Sequence, residues 1–203
     1  MSREWWAPLT GVAFGVVAIV GFIITGEPPS ADDPVQEIVD HYSDNKTSIQ
    51  IGSFVGVAAL VLLVFFGAYL RSLLSAAERP GGILSALTLV GTAVIAVGLT
   101  IDTTISIALA ETVDDIEPAA VQALQALWDN DFVPIALGVE LFLISTRISI
   151  VRHAALPKWL GWVALVLAVI GFTPIGFVAF AGMAIWIVSV SVMLTMRARA
   201  ATA

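Results

Sequence analysis

Four stretches of this chain, residues 7–25, 49–70, 83–109 and 132–151, are almost uninterrupted runs of apolar side chains. Each is about the length of a membrane crossing, because a helix rising about 1.5 Å per residue needs roughly 20 apolar residues to traverse about 30 Å of hydrocarbon. A fifth run, 159–196, is nearly twice that length and too long for one crossing even with tilt. It is interrupted at Phe172-Thr173-Pro174-Ile175-Gly176, where Pro174 lacks an N–H and biases its predecessor out of the helical region. The break predicts two helices, 157–172 and 175–196, with a single kinked re-entrant segment as the competing reading. A soluble core does not absorb this much apolar surface: 59% of the 203 residues are hydrophobic and 12% charged, against about 25% charged in soluble domains. The expected class is all-α: one domain over 1–203, a polytopic transmembrane helix bundle.

The charges orient the bundle, since short cytoplasmic loops collect Lys and Arg. Segments 26–48 and 111–131 hold Glu27, Asp32, Asp33, Glu37, Asp40, Asp44, Glu111, Asp114, Asp115, Glu117, Asp129 and Asp131 against one base, Lys46. The other side holds Arg3, Arg71, Arg79, Arg152, Lys158, Arg197 and Arg199 against Glu4 and Glu78. Six spans with both termini in the cytoplasm satisfy every loop. Trp5, Trp6, Trp159 and Trp162 then fall at the inner border, where amphipathic indoles sit. Thr25-Gly26-Glu27 lacks a small-x-small cleavage pattern, so the first helix is expected to be retained.

Both acidic segments carry a helix signature. Asp33-Pro34-Val35-Gln36 reads as an N-cap, a proline at N1 and a Gln at N3, and Val35, Ile38, Val39 and Tyr42 follow as one apolar stripe. Pro118 opens a second helix with Val121, Leu124 and Trp128 on one face. The two amphipathic outer helices, 34–44 and 118–129, end in Asp44-Asn45 and Asp129-Asn130, just before a span. The halves share a plan of span, acidic helix, span, which fits either an internal duplication or the general tendency of such loops to form capped helices.

Three charges are left inside the spans: Asp102, Glu140 and Arg147. Ionisable groups in hydrocarbon are costly and raise a functional question by default. Asp102 is nine residues from Glu111 and Glu140 nine from Asp131, which puts both roughly 13 Å below the outer border if the acids mark it. Two carboxylates meeting at that depth would raise one another's affinity for a proton, the chemistry of a proton relay or cation site, with Ser106 one turn from Asp102 and Arg147 two turns from Glu140. The plainer alternative is isolated structural carboxyls and an Arg147 that snorkels toward the inner interface. Gly11-x-x-x-Gly15 and Gly52-x-x-x-Gly56 allow close helix approach, either within the monomer or toward a second copy or another membrane subunit.

Several classes are excluded by what the sequence lacks. It contains no cysteine, no His-Glu-x-x-His, no Gly-x-Ser-x-Gly and no P-loop. Asp102 follows Leu99-Thr100-Ile101 rather than the Gly-x-Gly of an intramembrane aspartyl protease. His41 and His153 fall on opposite sides, and no lysine lies inside a span. No catalytic residue, cofactor, metal or nucleic-acid partner is expected; the bilayer is the expected partner.

Leu156-Pro157-Lys158-Trp159-Leu160-Gly161-Trp162 resembles the Leu/Ile-Pro-Arg/Lys-Trp-Leu helix start of a bacterial family of six-helix membrane proteins, a domain of unknown function. The resemblance implies a bacterial cytoplasmic membrane and supplies no site residues. The expected role is therefore a non-catalytic structural, sensory or accessory membrane component. The alternative is a small proton- or cation-coupled transporter or channel using Asp102 and Glu140, and an enzyme acting on lipid ranks third.

Overall fold

The structure, a computed structural model, describes residues 6–200. Arg3, Glu4, Trp5 and the side chain of Arg199 lie outside the described residues. Among those described, the regular structure is entirely helical: α1 (Leu9–Thr25), α2 (Val35–Asp44), α3 (Lys46–Ala77), α4 (Leu84–Thr112), α5 (Pro118–Asn130), α6 (Phe132–His153), α7 (Lys158–Gly171) and α8 (Phe177–Ala200). Four candidate crossings are long and apolar enough to pass through a bilayer: α3, α4, α6 joined to α5, and α8. Apolar α1 and α7 are shorter, at 17 and 14 residues. The sequence break falls where expected, with α7 ending at Gly171 and α8 starting at Phe177.

Six helices form a closed ring in which each packs on the next, in the order α1, α3, α4, α6, α7, α8 and back to α1. Its core is built around Phe66, Leu70, Phe142, Leu143 and Ile187, all fully enclosed. Phe142 meets Trp186 edge to face at 5.8 Å, and the Trp186 indole donates to the Leu160 carbonyl at 3.0 Å, satisfying its one buried donor. The ring closes at one end where Ser191 Oγ accepts from the Val12 N–H at 3.0 Å and donates to the Pro8 carbonyl. Thr88, Thr92, Ser145, Thr146 and Ser149 are buried, whereas Phe22, Ile23, Phe54, Leu137 and Ile185 face outward. Hydroxyls inside and large apolar side chains outside reverse the soluble pattern, and lipid is the solvent that suits such a surface.

The small residues explain the tight crossings. A β-carbon on Gly11 would lie 2.7 Å from a Phe66 ring carbon and 2.8 Å from Ser191 Cβ. One on Gly52 would crowd the Thr25 backbone at 2.8 Å. Gly15 faces Val188, while Gly56 opens onto free space. Three of the four motif glycines thus seat neighbours from the same chain.

α2 and α5 pack on each other and on the start of α3 and the end of α4, forming a cap with its own core of Ile38, Tyr42, Ile49, Leu109, Ala110 and Val121. Of the apolar stripes read from the sequence, Ile38, Val39 and Tyr42 meet Val121, Leu124 and Trp128 in this core, and Val35 stays outside it. The α2 start differs from expectation. Pro34 occupies the N-cap position, and the Asp33 carboxylate accepts the Ser30 N–H at 2.8 Å instead of capping the helix. The two Asp-Asn ends behave alike, since Asn45 donates to the His41 carbonyl at 2.9 Å and Asn130 to the Ala126 carbonyl at 2.8 Å. Each side chain reaches back four residues to its own helix, and the His41 carbonyl accepts the Asn45 backbone N–H as well, at 3.1 Å.

Inside the cap, the buried Tyr42 hydroxyl donates to Gln125 Oε1 at 2.8 Å, and Gln125 Nε2 donates to the Pro29 carbonyl at 2.7 Å. Burial first, then the Asp102 and Asp129 carboxylates, hold the Tyr42 phenol well above its usual range, so it remains a donor. Tyr42→Phe leaves Gln125 Oε1 enclosed without its partner, which costs about 1–2 kcal/mol. Amide exchange in α2 and α5 should accelerate roughly tenfold while α3 and α6 are unaffected. Unchanged exchange in the cap would contradict this account of it.

Candidate functional site

Asp102, Ser106, Glu140 and Arg147 do not converge. Antiparallel α4 and α6 are held in register by glycines: a β-carbon on Gly98 would stand 3.0 Å from Ile135 N, and one on Gly91 would stand 2.6 Å from Phe142 N. Followed along both helices, this register sets Asp102 level with the start of α6 and sets Glu140 between Gly91 and Ile95. Nine residues of α6 separate those levels, so Glu140 lies roughly 13 Å deeper than Asp102. The expected pairing at equal depth fails because α4 runs on past the ring. Its last turns, with Ile105, Leu109 and Ala110, are buried under the cap rather than in lipid. Glu111 therefore stands beyond the ring, at the level of the cap.

Asp102 and Ser106 do share a site. Both line a cavity of about 330 Å³ beneath the cap, bounded by His41, Tyr42 and Trp128 above and by Phe14, Leu60 and Phe180 below. Ser106 Oγ donates to the Asp102 backbone carbonyl at 3.1 Å, not to its carboxylate. Thr103 donates to the Leu99 carbonyl at 2.7 Å, and Thr25 to the Gly21 carbonyl at 3.0 Å. With Tyr42 bonded to Gln125, four of the five cavity hydroxyls have their protons engaged and retain only lone pairs, and the fifth, Ser53, makes no hydrogen bond to the protein. No Lys or Arg lines the cavity, and burial lowers the pKa of His41, which leaves that ring neutral at pH 7.

Glu140 occupies a different cavity, of about 430 Å³, between α6 and the α7–α8 break. Only 8% of the residue is exposed, and neither carboxylate oxygen has a hydrogen-bond partner. Its Oε1 packs against Gly171, where any β-carbon would overlap it. Because the carboxylate accepts no bond, Arg147 does not pair with it. Arg147 instead lies over Trp162, with its guanidinium carbon 5.4 Å from the ring centroid, and its Nε is buried without a partner. That placement is on the face toward α7, a cation–π contact in place of the ion pair with Glu140.

Phe180 lines both cavities, and nothing in the sequence singled it out. Gly171 was equally invisible as a contact of Glu140, although its place just before the proline break was a signal that backbone there is closely approached. Among the described residues no group of three or more His, Asp or Glu side chains is arranged to hold a metal ion. No protein-family model, curated protein or solved structure matches this chain.

Proposed function

We propose that this chain is a six-span protein of the bacterial cytoplasmic membrane with both termini inside, acting as a sensory or accessory component that binds a ligand from the outer side. The observation that carries the reading is the cap. Two acidic amphipathic helices close over a cavity whose one carboxylate is Asp102, and the cavity walls contain no nucleophile activated by a base. The six-helix ring and the opposed charges of the loops support the topology, with α7 as the short fifth span. The late Leu-Pro-Lys-Trp-Leu motif supports the bacterial membrane.

Labelling tests the orientation directly, because the chain has no cysteine of its own. Cysteines placed at Asp32 and Asp115 should react with an impermeant maleimide in intact cells, and one at Arg79 should react only after lysis. The reverse pattern would sink the topology and the reading built on it.

Phe180 favours one second reading, a proton- or cation-coupled transporter or channel in which Asp102 and Glu140 act in series from cavity to cavity. In reconstituted vesicles Asp102→Asn and Glu140→Gln should then each abolish proton-linked flux, and normal flux in the double variant eliminates it.

A further inference from the structure

The cavity under the cap has a composition that selects for one kind of ligand. Its walls are mostly apolar and include the rings of Phe14, Tyr42, Trp128 and Phe180. Its polar contribution is lopsided. Four hydroxyls are committed as donors to backbone carbonyls or to Gln125, so they offer acceptor lone pairs only, and Asp102 adds a carboxylate. The neutral ring of His41 does not oppose a positive charge there. Against these acceptors the free side-chain donors are the Ser53 hydroxyl and the N–H of the neutral His41 ring, while the Trp128 indole N–H, also without a partner, is itself enclosed. An anion would meet a carboxylate and no cationic side chain. A neutral molecule would leave the Asp102 charge unpaired in a partly desolvated place or oblige the carboxylate to take up a proton, whereas a cation pairs with it directly.

We propose that this cavity binds a small organic monocation with an apolar body, a quaternary or tertiary amine, whose charge faces Asp102 while its hydrocarbon lies on the aromatic walls. The proposal rests on the outward-binding reading above and names the ligand class for the same site. Three features combine. The carboxylate supplies the counter-charge. Aromatic faces attract cations, more strongly where both are withdrawn from water. The acidic outer segments, with twelve acids and one base, raise the local concentration of cations at the mouth. A volume of about 330 Å³ is at the lower end of small-molecule pockets, enough for a benzylammonium-sized body and too small for a peptide. A divalent metal is disfavoured, since the cavity has one carboxylate where such ions take several oxygen ligands.

The test uses the full-length protein in detergent or nanodiscs, titrated calorimetrically at pH 7.5 with benzyltrimethylammonium and, separately, with its neutral carbon isostere neopentylbenzene. The ammonium should bind saturably, at least tenfold more tightly than the isostere. Asp102→Asn should lose at least tenfold in affinity for the ammonium and gain nothing for the isostere. Gly56→Leu fills the cavity from a position where a β-carbon meets nothing within 4 Å, and it should lower affinity with the charge still present. Equal binding of ammonium and isostere, or binding unaffected by both variants, would overturn the proposal and identify the cavity as a seat for apolar chains such as lipid tails. Failure of the topology itself is read independently, from the labelling at Asp32, Asp115 and Arg79.

Discussion

Gly91→Val is expected to unfold or severely loosen the ring, with a loss of about 3 kcal/mol measured by denaturant titration in mixed micelles. Gly91 and Gly138 face each other across α4 and α6. A β-carbon on the first would lie 2.6 Å from Phe142 N and 2.9 Å from the Gly138 carbonyl, and one on the second 2.6 Å from Ile95 N. The obstacles are backbone atoms, so no rotamer change relieves the overlap, and the helices must move apart. In lipid that separation is especially damaging, because helices are held together by close packing and polar contacts rather than by exclusion of water. One turn away, Thr88 Oγ1 meets Ser145 Oγ at 2.9 Å and Thr146 Oγ1 at 3.2 Å, distances that a shift of about an ångström takes beyond bonding range. Gly56→Ala is the control: its β-carbon meets no neighbour, and its effect should stay within about 0.5 kcal/mol. A Gly91→Val protein as stable as the control would mean that the α4–α6 register is wrong, and with it the depths assigned to Asp102 and Glu140.

The register is also where sequence reading reached its limit. Apolar runs and amphipathic stripes located the helices well, because both lipid and the cap demand apolar faces of predictable period. The same equivalence produced the error at α4. Ile105, Leu109 and Ala110 look identical in sequence whether a lipid tail or the face of α2 and α5 covers them, so the nearest acid was a poor ruler and Asp102 was set level with Glu140, from which the α4–α6 register separates it. Gln125 was legible only as a polar residue on a mostly apolar helix. That it is buried and paired with Tyr42 depends on how two helices distant in sequence meet. Asp33 had the right identity and position for an N-cap, yet a competing local bond to Ser30 took its carboxylate, a choice that propensity does not decide. Helix rotation is the common missing quantity. It determines that Glu140 turns toward Gly171 instead of α4, and it depends on all the packed neighbours at once.

Removing the carboxylate at 140 is expected to stabilise the protein, which is unusual for a change at a buried residue. Neither oxygen of Glu140 has a partner, and the surroundings are Ile135, Val139, Phe177, Ala179 and Phe180. A buried polar group left unsatisfied costs about 1–3 kcal/mol, so Glu140→Met, similar in length and able to fill irregular apolar space, should raise stability by about 2 kcal/mol. A second pair of variants separates this from a general improvement in packing. Gly171→Ala drives a methyl group into Oε1 and should destabilise the wild-type chain. In a Glu140→Ala background the nearest remaining obstacle is Ala179 Cβ at 3.4 Å, ordinary contact, and the same substitution should be close to neutral. The difference between the two Gly171→Ala effects measures the contact, and a coupling of about 1 kcal/mol or more is expected for residues that touch. Additive effects would show that the carboxylate is not seated on Gly171. Stabilisation by Glu140→Met would mark an acid kept at the expense of folding, as groups retained for function commonly are. A loss instead would mean that a proton or bound cation satisfies the carboxylate and that the α7–α8 break is organised around it.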